Sequence, residues 1–235
     1  MARLPRLVIP EHLHHLIQRG IAGTDLFRDQ ADYEFFYQCL KNAAKQFQIA
    51  IHAYVLLPDH LHLLVTPADE TGLGKFMQWL GRNYVPYYNR KYLRAGTLWQ
   101  GRFRATVLEA ASYFIPCCIF IESHPQRTGI LNDASEYHWS SLAHHCGYKT
   151  DPLLTDHTAY WRLGNTPFQR EAAYKEILHQ GLGRQQILQL SQATQKAWAL
   201  GCAEFIQTLE KLTERRLAPV RRGRPAKKSG ISNEG

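Results

Sequence analysis

The sequence predicts an α+β fold of ferredoxin-like order: an antiparallel sheet with helices on one face, followed by a helical extension. Three observations carry this. Residues 12–19, 51–57 and 60–65 alternate or run apolar over strand lengths, and a Pro58-Asp59 turn joins the last two. Residues 32–47 and 73–93 place apolar side chains at helical spacing. Residues 98–107 run from a loop into a fourth strand, and the apolar stretch 113–121 comes next as a helix. Strand, helix, strand, strand, helix, strand, helix is the split βαβ arrangement.

In chain order, residues 3–9 are a basic, proline-containing lead-in. The first strand carries His12 and His14, a His-x-His pair read as structural or DNA-facing. The first helix aligns Phe36, Cys39, Leu40, Ala43 and Phe47, with Lys41, Lys45 and Gln46 outside. The second helix aligns Phe76, Met77, Leu80, Tyr84, Tyr87 and Tyr88, and Pro86 inside it should kink or split it. Lys75, Arg82, Arg90 and Lys91 lie among those tyrosines. Such interleaving suits a single-stranded nucleic acid, whose bases stack and whose phosphates pair; it equally describes a solvated helix with tyrosines packed inward. Arg102 and Arg104 flank Phe103 at the start of the fourth strand.

The domain expectation is 1–148 for this unit, 149–216 for a helical appendage with patterns at 168–180 and 184–216, and 217–235 for a disordered basic tail. In the tail, Arg222-Gly-Arg-Pro225 resembles the core of an AT-hook, whose arginines reach into a narrow A·T minor groove. The alternative is a solubilising tail with non-specific phosphate affinity.

The 235 residues suffice for one good core. Lys and Arg number 28 against 20 acids, a net +8 that favours a polyanionic partner. The first residues show no charged-then-apolar leader, and residues 113–121 are too short to span a bilayer, so no membrane partner is expected. Five cysteines without a Cys-x-x-Cys spacing argue for a reducing, cytoplasmic setting and against a zinc knuckle.

The chemistry gathers on His60 and His62. Residues two apart on a strand share a face, so both imidazoles point one way while Leu61 and Leu63 point the other. Two neutral imidazoles on a rigid strand can grip a divalent cation; a half-buried strand with two polar residues on its wet face reads the same.

Pro58-Asp-His-Leu-His-Leu-Leu64 resembles the His-hydrophobic-His strand of the single-tyrosine HUH transposases, the IS200-like and REP-associated group. Residues 51–57 resemble the preceding strand of that family, and residues 96–104 resemble the segment before its last core strand. Residues 121–129 resemble the end of its nucleophile helix, and residues 137–141 resemble the segment after that helix. The resemblance spans about residues 1–148.

It implies a homodimeric bacterial protein that cuts and rejoins hairpin-forming single-stranded DNA. Two histidines and a third polar residue hold Mg²⁺ or Mn²⁺, which polarises a phosphoryl oxygen. A tyrosine on the helix after the fourth strand attacks phosphorus, leaving a 5′-phosphotyrosine and a free 3′-OH. Family members read Tyr-Ile-x-x-Asn-Pro there, with tyrosine and amide on one helix face. This chain reads Phe120-Ile-Glu-Ser-His124-Pro125. Phe120 has no hydroxyl. His124 is either a third metal ligand or a solvent-facing helix end. Pro116 should bend the helix ahead of Phe120. Tyr113, seven residues earlier, is about 10 Å away along the axis and is a poor substitute nucleophile; Tyr137 lies beyond the helix and its spacing does not place it. Arg82, Arg102, Arg104, Arg222 and Arg224 are the candidate DNA contacts. Two functions are implied: a metal-dependent DNA strand transferase, or a catalytically silent transposase-derived DNA-binding protein.

Overall fold

A computed structural model of the chain describes residues 6–214 and 216–217; the tail with Arg222 and Arg224 lies outside the described residues. The elements take the predicted order: β1 (Leu13–Arg19), α1 (Gln30–Gln46), β2 (Ile49–Leu56), β3 (His60–Pro67), α2 (Gly72–Lys91), β4 (Arg104–Leu108) and α3 (Ala110–Glu122). The four strands form one antiparallel sheet in the order β2-β3-β1-β4.

Local chemistry sets the hairpin. Leu57 N–H donates to the His60 carbonyl at 2.8 Å and His60 N–H returns to Leu57 at 3.3 Å, with Pro58 and Asp59 at the tip. The end of β1 is held against this turn, because Gly20 N–H donates to the Asp59 carbonyl at 2.8 Å. A Cβ at Gly20 would lie 2.8 Å from the Thr24 carbonyl, so only glycine lets the chain pass there.

Strand alternation sorts the core. Leu16, Tyr54, Leu56, Leu61, Leu63 and Val65 pack on one face against α1 and α2. Leu13, Ala53, Val55, Leu64 and Leu108 pack on the other against α3. The ferredoxin-like class stands, but helices cover both faces rather than one. The physical reason is that the central strands are apolar on both sides, and neither side could be left in water.

Asp32 locks α1 to the end of α2. It is fully buried and takes Lys91 at 2.7 Å, Tyr92 at 2.7 Å and the Arg28 N–H at 2.9 Å. Tyr84 and Tyr88 are buried, their hydroxyls donating to the Leu26 and Asp25 carbonyls. The tyrosines of α2 therefore pack largely inward. Pro86 does not split α2, and Pro116 does not interrupt α3. Pro86 and Arg82 lie on the exposed side, where the carbonyl freed by the missing N–H reaches water.

Beyond α3 come α4 (His124–Arg127), a 3₁₀ turn (Ala134–Glu136), α5 (Leu142–His145), α6 (Thr158–Trp161), α7 (Pro167–Gln180), α8 (Arg184–Lys196) and α9 (Ala203–Thr213). The helical pattern expected over 184–216 is two helices, because Ala197 takes a left-handed conformation (φ 54°) that ends α8. Thr166 and Gln169 form a capping box at the start of α7. Tyr174 of α7 and Leu190 of α8 bury into the α3 layer, so these helices complete the second face. Among the described residues no helix is long and apolar enough to cross a membrane.

Candidate metal centre

His60 and His62 open β3 and face the α3 side of the sheet. His124 begins α4, just past the end of α3, and closes over the same spot. The three imidazoles form a near-equilateral group, with ring centroids 5.2 Å apart for His60–His62 and 4.9 Å for each with His124. All three are buried, and one ring nitrogen from each lies within 4.8 Å of the others. His60 Nε2 and His124 Nε2 are 3.2 Å apart. His62 Nε2 is buried and has no hydrogen-bond partner.

That orphaned nitrogen fits a metal-ligating role, since buried polar atoms are otherwise paired. The surrounding hydrogen bonds agree. His60 Nδ1 contacts Asp59 Oδ1 at 2.6 Å, and His62 Nδ1 contacts His15 Nε2 at 2.8 Å. Each leaves Nε2 free to point inward, the arrangement of a metal-ligating histidine with a hydrogen-bonded outer nitrogen. Burial pulls the His60 and His62 rings below their ordinary range and His124 down to about 3, helped at His124 by His60 and Arg127. The rings are neutral at pH 7, as ligation requires. The donor set fits a divalent cation. His124 Nδ1 faces Arg127 Nη2 at 3.3 Å; with Nε2 ligating, its proton sits on Nδ1. Arg127 then rests on its bonds to the Phe120 carbonyl (2.5 Å) and the Ser123 hydroxyl (3.2 Å).

Phe120 stands beside the triad. Its ring is edge-on to His62 at 6.1 Å, His124 at 6.3 Å and His15 at 5.8 Å, and the Arg127 guanidinium covers it at 4.2 Å. It is 3% exposed.

A basic groove adjoins the centre. Arg19 pairs with His60 and Ile17 with His62 across the β1–β3 ladder, and Arg104 pairs with Ile17 on the far side. Ile17, Arg19, Arg102, Arg104, Gln100 and Gln195 line a cavity of about 610 Å³. Three guanidinium groups beside a metal site suit phosphate oxygens, which they bind through paired N–H donors.

A family described as IS200-like transposases matches residues 9–123. Residues 9–123 belong to the IS200-like transposase family. Members use a divalent metal ion, and the histidine triad is present here. The fold is similar to that of a REP-associated tyrosine transposase bound to a REP hairpin. The TM-score is 0.55 at 16% identity, covering 68% of this chain and 96% of that one. A putative transposase from Deinococcus radiodurans R1 also matches, at 19% identity and a TM-score of 0.36, over 49% of this chain and 94% of that one. No curated protein matches the chain.

In this transposase chain the structure brings together His60, His62, His124 and Phe120, and it places Arg102 and Arg104 in the adjoining groove. Arg82 is not among them: α2 covers the opposite face, so Arg82 lies across the sheet from the triad. Tyr113 sits at the far end of α3, and Tyr137 donates to the Leu56 carbonyl at 2.6 Å. The His12–His14 pair stays structural: His14 Nδ1 contacts the His12 carbonyl at 2.7 Å and Nε2 accepts from Ile9 N–H at 3.2 Å. Sequence reasoning missed His15, Arg19 and Arg127. Alternation along β1 places His15 on the face opposite His14, and that signal was available.

Proposed function

We propose that this chain is a transposase-like protein that binds hairpin-forming single-stranded DNA beside a divalent cation and does not form the covalent tyrosyl–DNA link. His60, His62 and His124 hold Mg²⁺ or Mn²⁺. The cation supplies charge neutralisation and polarisation at a DNA phosphate. Arg19, Arg102 and Arg104 hold neighbouring phosphates and set the strand's path toward the triad. The hairpin preference rests on the similarity to the REP-hairpin-bound transposase.

The observation that carries the silent reading is Phe120. A hydrocarbon ring, edge-on to two of the three histidines, stands where the family's nucleophile is expected. It offers no oxygen to phosphorus. The competing reading is full strand transfer, and Tyr113 is the phenol on the same helix that it would need. The seven-residue offset keeps Tyr113 about 10 Å along the axis from position 120. Burial and then Glu109 push its phenol up, away from a nucleophilic phenolate. The proposal includes a homodimer and an A·T-rich duplex contact through Arg222 and Arg224.

Incubating the full chain with Mn²⁺ and a hairpin-bearing single strand tests this. The expected result is a bound complex with intact DNA and no covalent product in a denaturing gel. A covalent protein–DNA adduct from the unaltered chain overturns it.

A further inference from the structure

We propose that Thr194 on α8 is a positioning residue of the metal centre, acting through His15 to present the ligating nitrogen of His62. The inference rests on the metal reading above and assigns the C-terminal helices a part in it.

The protons can be counted from one end. Thr194 Oγ1 lies 2.7 Å from the Leu190 carbonyl one turn back in its own helix. A carbonyl only accepts, so the single hydroxyl proton of Thr194 is spent there. The contact from Thr194 Oγ1 to His15 Nδ1, at 2.8 Å, must then be donated by the ring. A neutral imidazole with its proton on Nδ1 has a lone pair on Nε2. His15 Nε2 therefore accepts the 2.8 Å bond from His62 Nδ1–H. His62 is left with a lone pair on Nε2, the buried nitrogen that no other group claims. Every proton along Leu190, Thr194, His15 and His62 is accounted for, and the chain ends at the metal position.

The placement of Thr194 is itself fixed. Its two neighbours in sequence offer their carbonyls to β4: Thr106 donates to Ala193 at 3.0 Å, and Arg104 donates to Gln195. The register of α8 against the sheet is thus pinned on both sides of Thr194. One turn of α8 serves both the triad and the basic groove, since Arg104 and Gln195 also line the latter. His60 needs no such support, because Asp59 beside it in sequence fixes its ring.

Thr194→Val keeps the shape and removes the oxygen, leaving His15 Nδ1–H without an acceptor. Calorimetry with Mn²⁺ on the full chain should show affinity lower by about tenfold, the low end for outer-layer partners, and Thr194→Ser should restore it. Ring ¹⁵N spectra of the metal-free protein give a second readout: Nδ1–H on both His15 and His62 in the unaltered chain, and a mixture in Thr194→Val. Unchanged Mn²⁺ affinity in Thr194→Val, with binding lost in His62→Ala, overturns this inference alone. Unchanged affinity in His62→Ala overturns the metal reading beneath it. Should Thr194→Val not fold, Nε2–H on His15 in the unaltered chain overturns the inference.

Discussion

Two buried polar clusters hang from the end of α3, and they are built differently. Glu122 is fully buried and takes Ser141, the His145 ring and the Tyr174 hydroxyl. Ser141 caps α5, His145 is its last residue and Tyr174 lies in α7, so together they tie α5 and α7 to α3. Two residues on, His124 joins His60 and His62, and there one nitrogen is left over. Asn89 Oδ1, Arg94 Nη1 and Arg170 Nε also lack partners, but the histidine triad is the group of potential metal ligands found among the described residues. A polar cluster that serves only the fold closes its hydrogen bonds. One that serves a ligand keeps a lone pair unspent at the cost of some stability.

The sharpest break of this comparison is at Glu122. Glu122→Ala strands three buried donors and should lower unfolding free energy by about 3–5 kcal/mol in urea melts. A stability within error of the unaltered chain would mean that the cluster is not the fold's anchor. His62→Ala should behave oppositely: Mn²⁺ binding lost by calorimetry, most DNA affinity kept, and little change in the melt. A large drop in stability with metal affinity retained would make the triad structural.

Acid offers a subtler test on histidines away from the triad. Burial pulls His14 and His52 down from 6.5 to about 4. Both stay neutral in the fold but take up a proton once unfolded below about 6.5. The unfolded state then binds more protons, so stability falls as pH drops from about 6.5 toward about 4. The loss is up to about 1.4 kcal/mol per pH unit for each ring. Thermal midpoints that stay level across that window contradict the assignment. The smallest effect is expected in the groove: Arg19→Gln or Arg102→Gln should reduce the salt slope of DNA binding by about one. Mn²⁺ affinity should not move. An unchanged slope would remove that arginine from the DNA path.

How much was legible in the sequence depends on how far apart the interacting residues are. His60 and His62 are legible because a strand repeats every two residues, and Phe120 and His124 because a helix returns after four. Asp59 sits beside His60. Arg19 became a neighbour of His60 only through the β1–β3 register, which no local pattern specifies. Thr194 reaches His15 across 179 residues of chain. The basic tyrosine helix left two readings open for a related reason: its amphipathic pattern is the same whichever sheet face it covers, and it covers the face opposite the histidine triad.

The central claim is that an intact metal centre faces a ring where a phenol is needed, and Phe120→Tyr tests it most directly. The variant and the unaltered chain are each incubated with Mn²⁺ and hairpin-bearing single-stranded DNA, then resolved in denaturant. The account predicts a covalent protein–DNA band in Phe120→Tyr alone. The same band from the unaltered chain, or none from a variant that binds both Mn²⁺ and the hairpin, would contradict it.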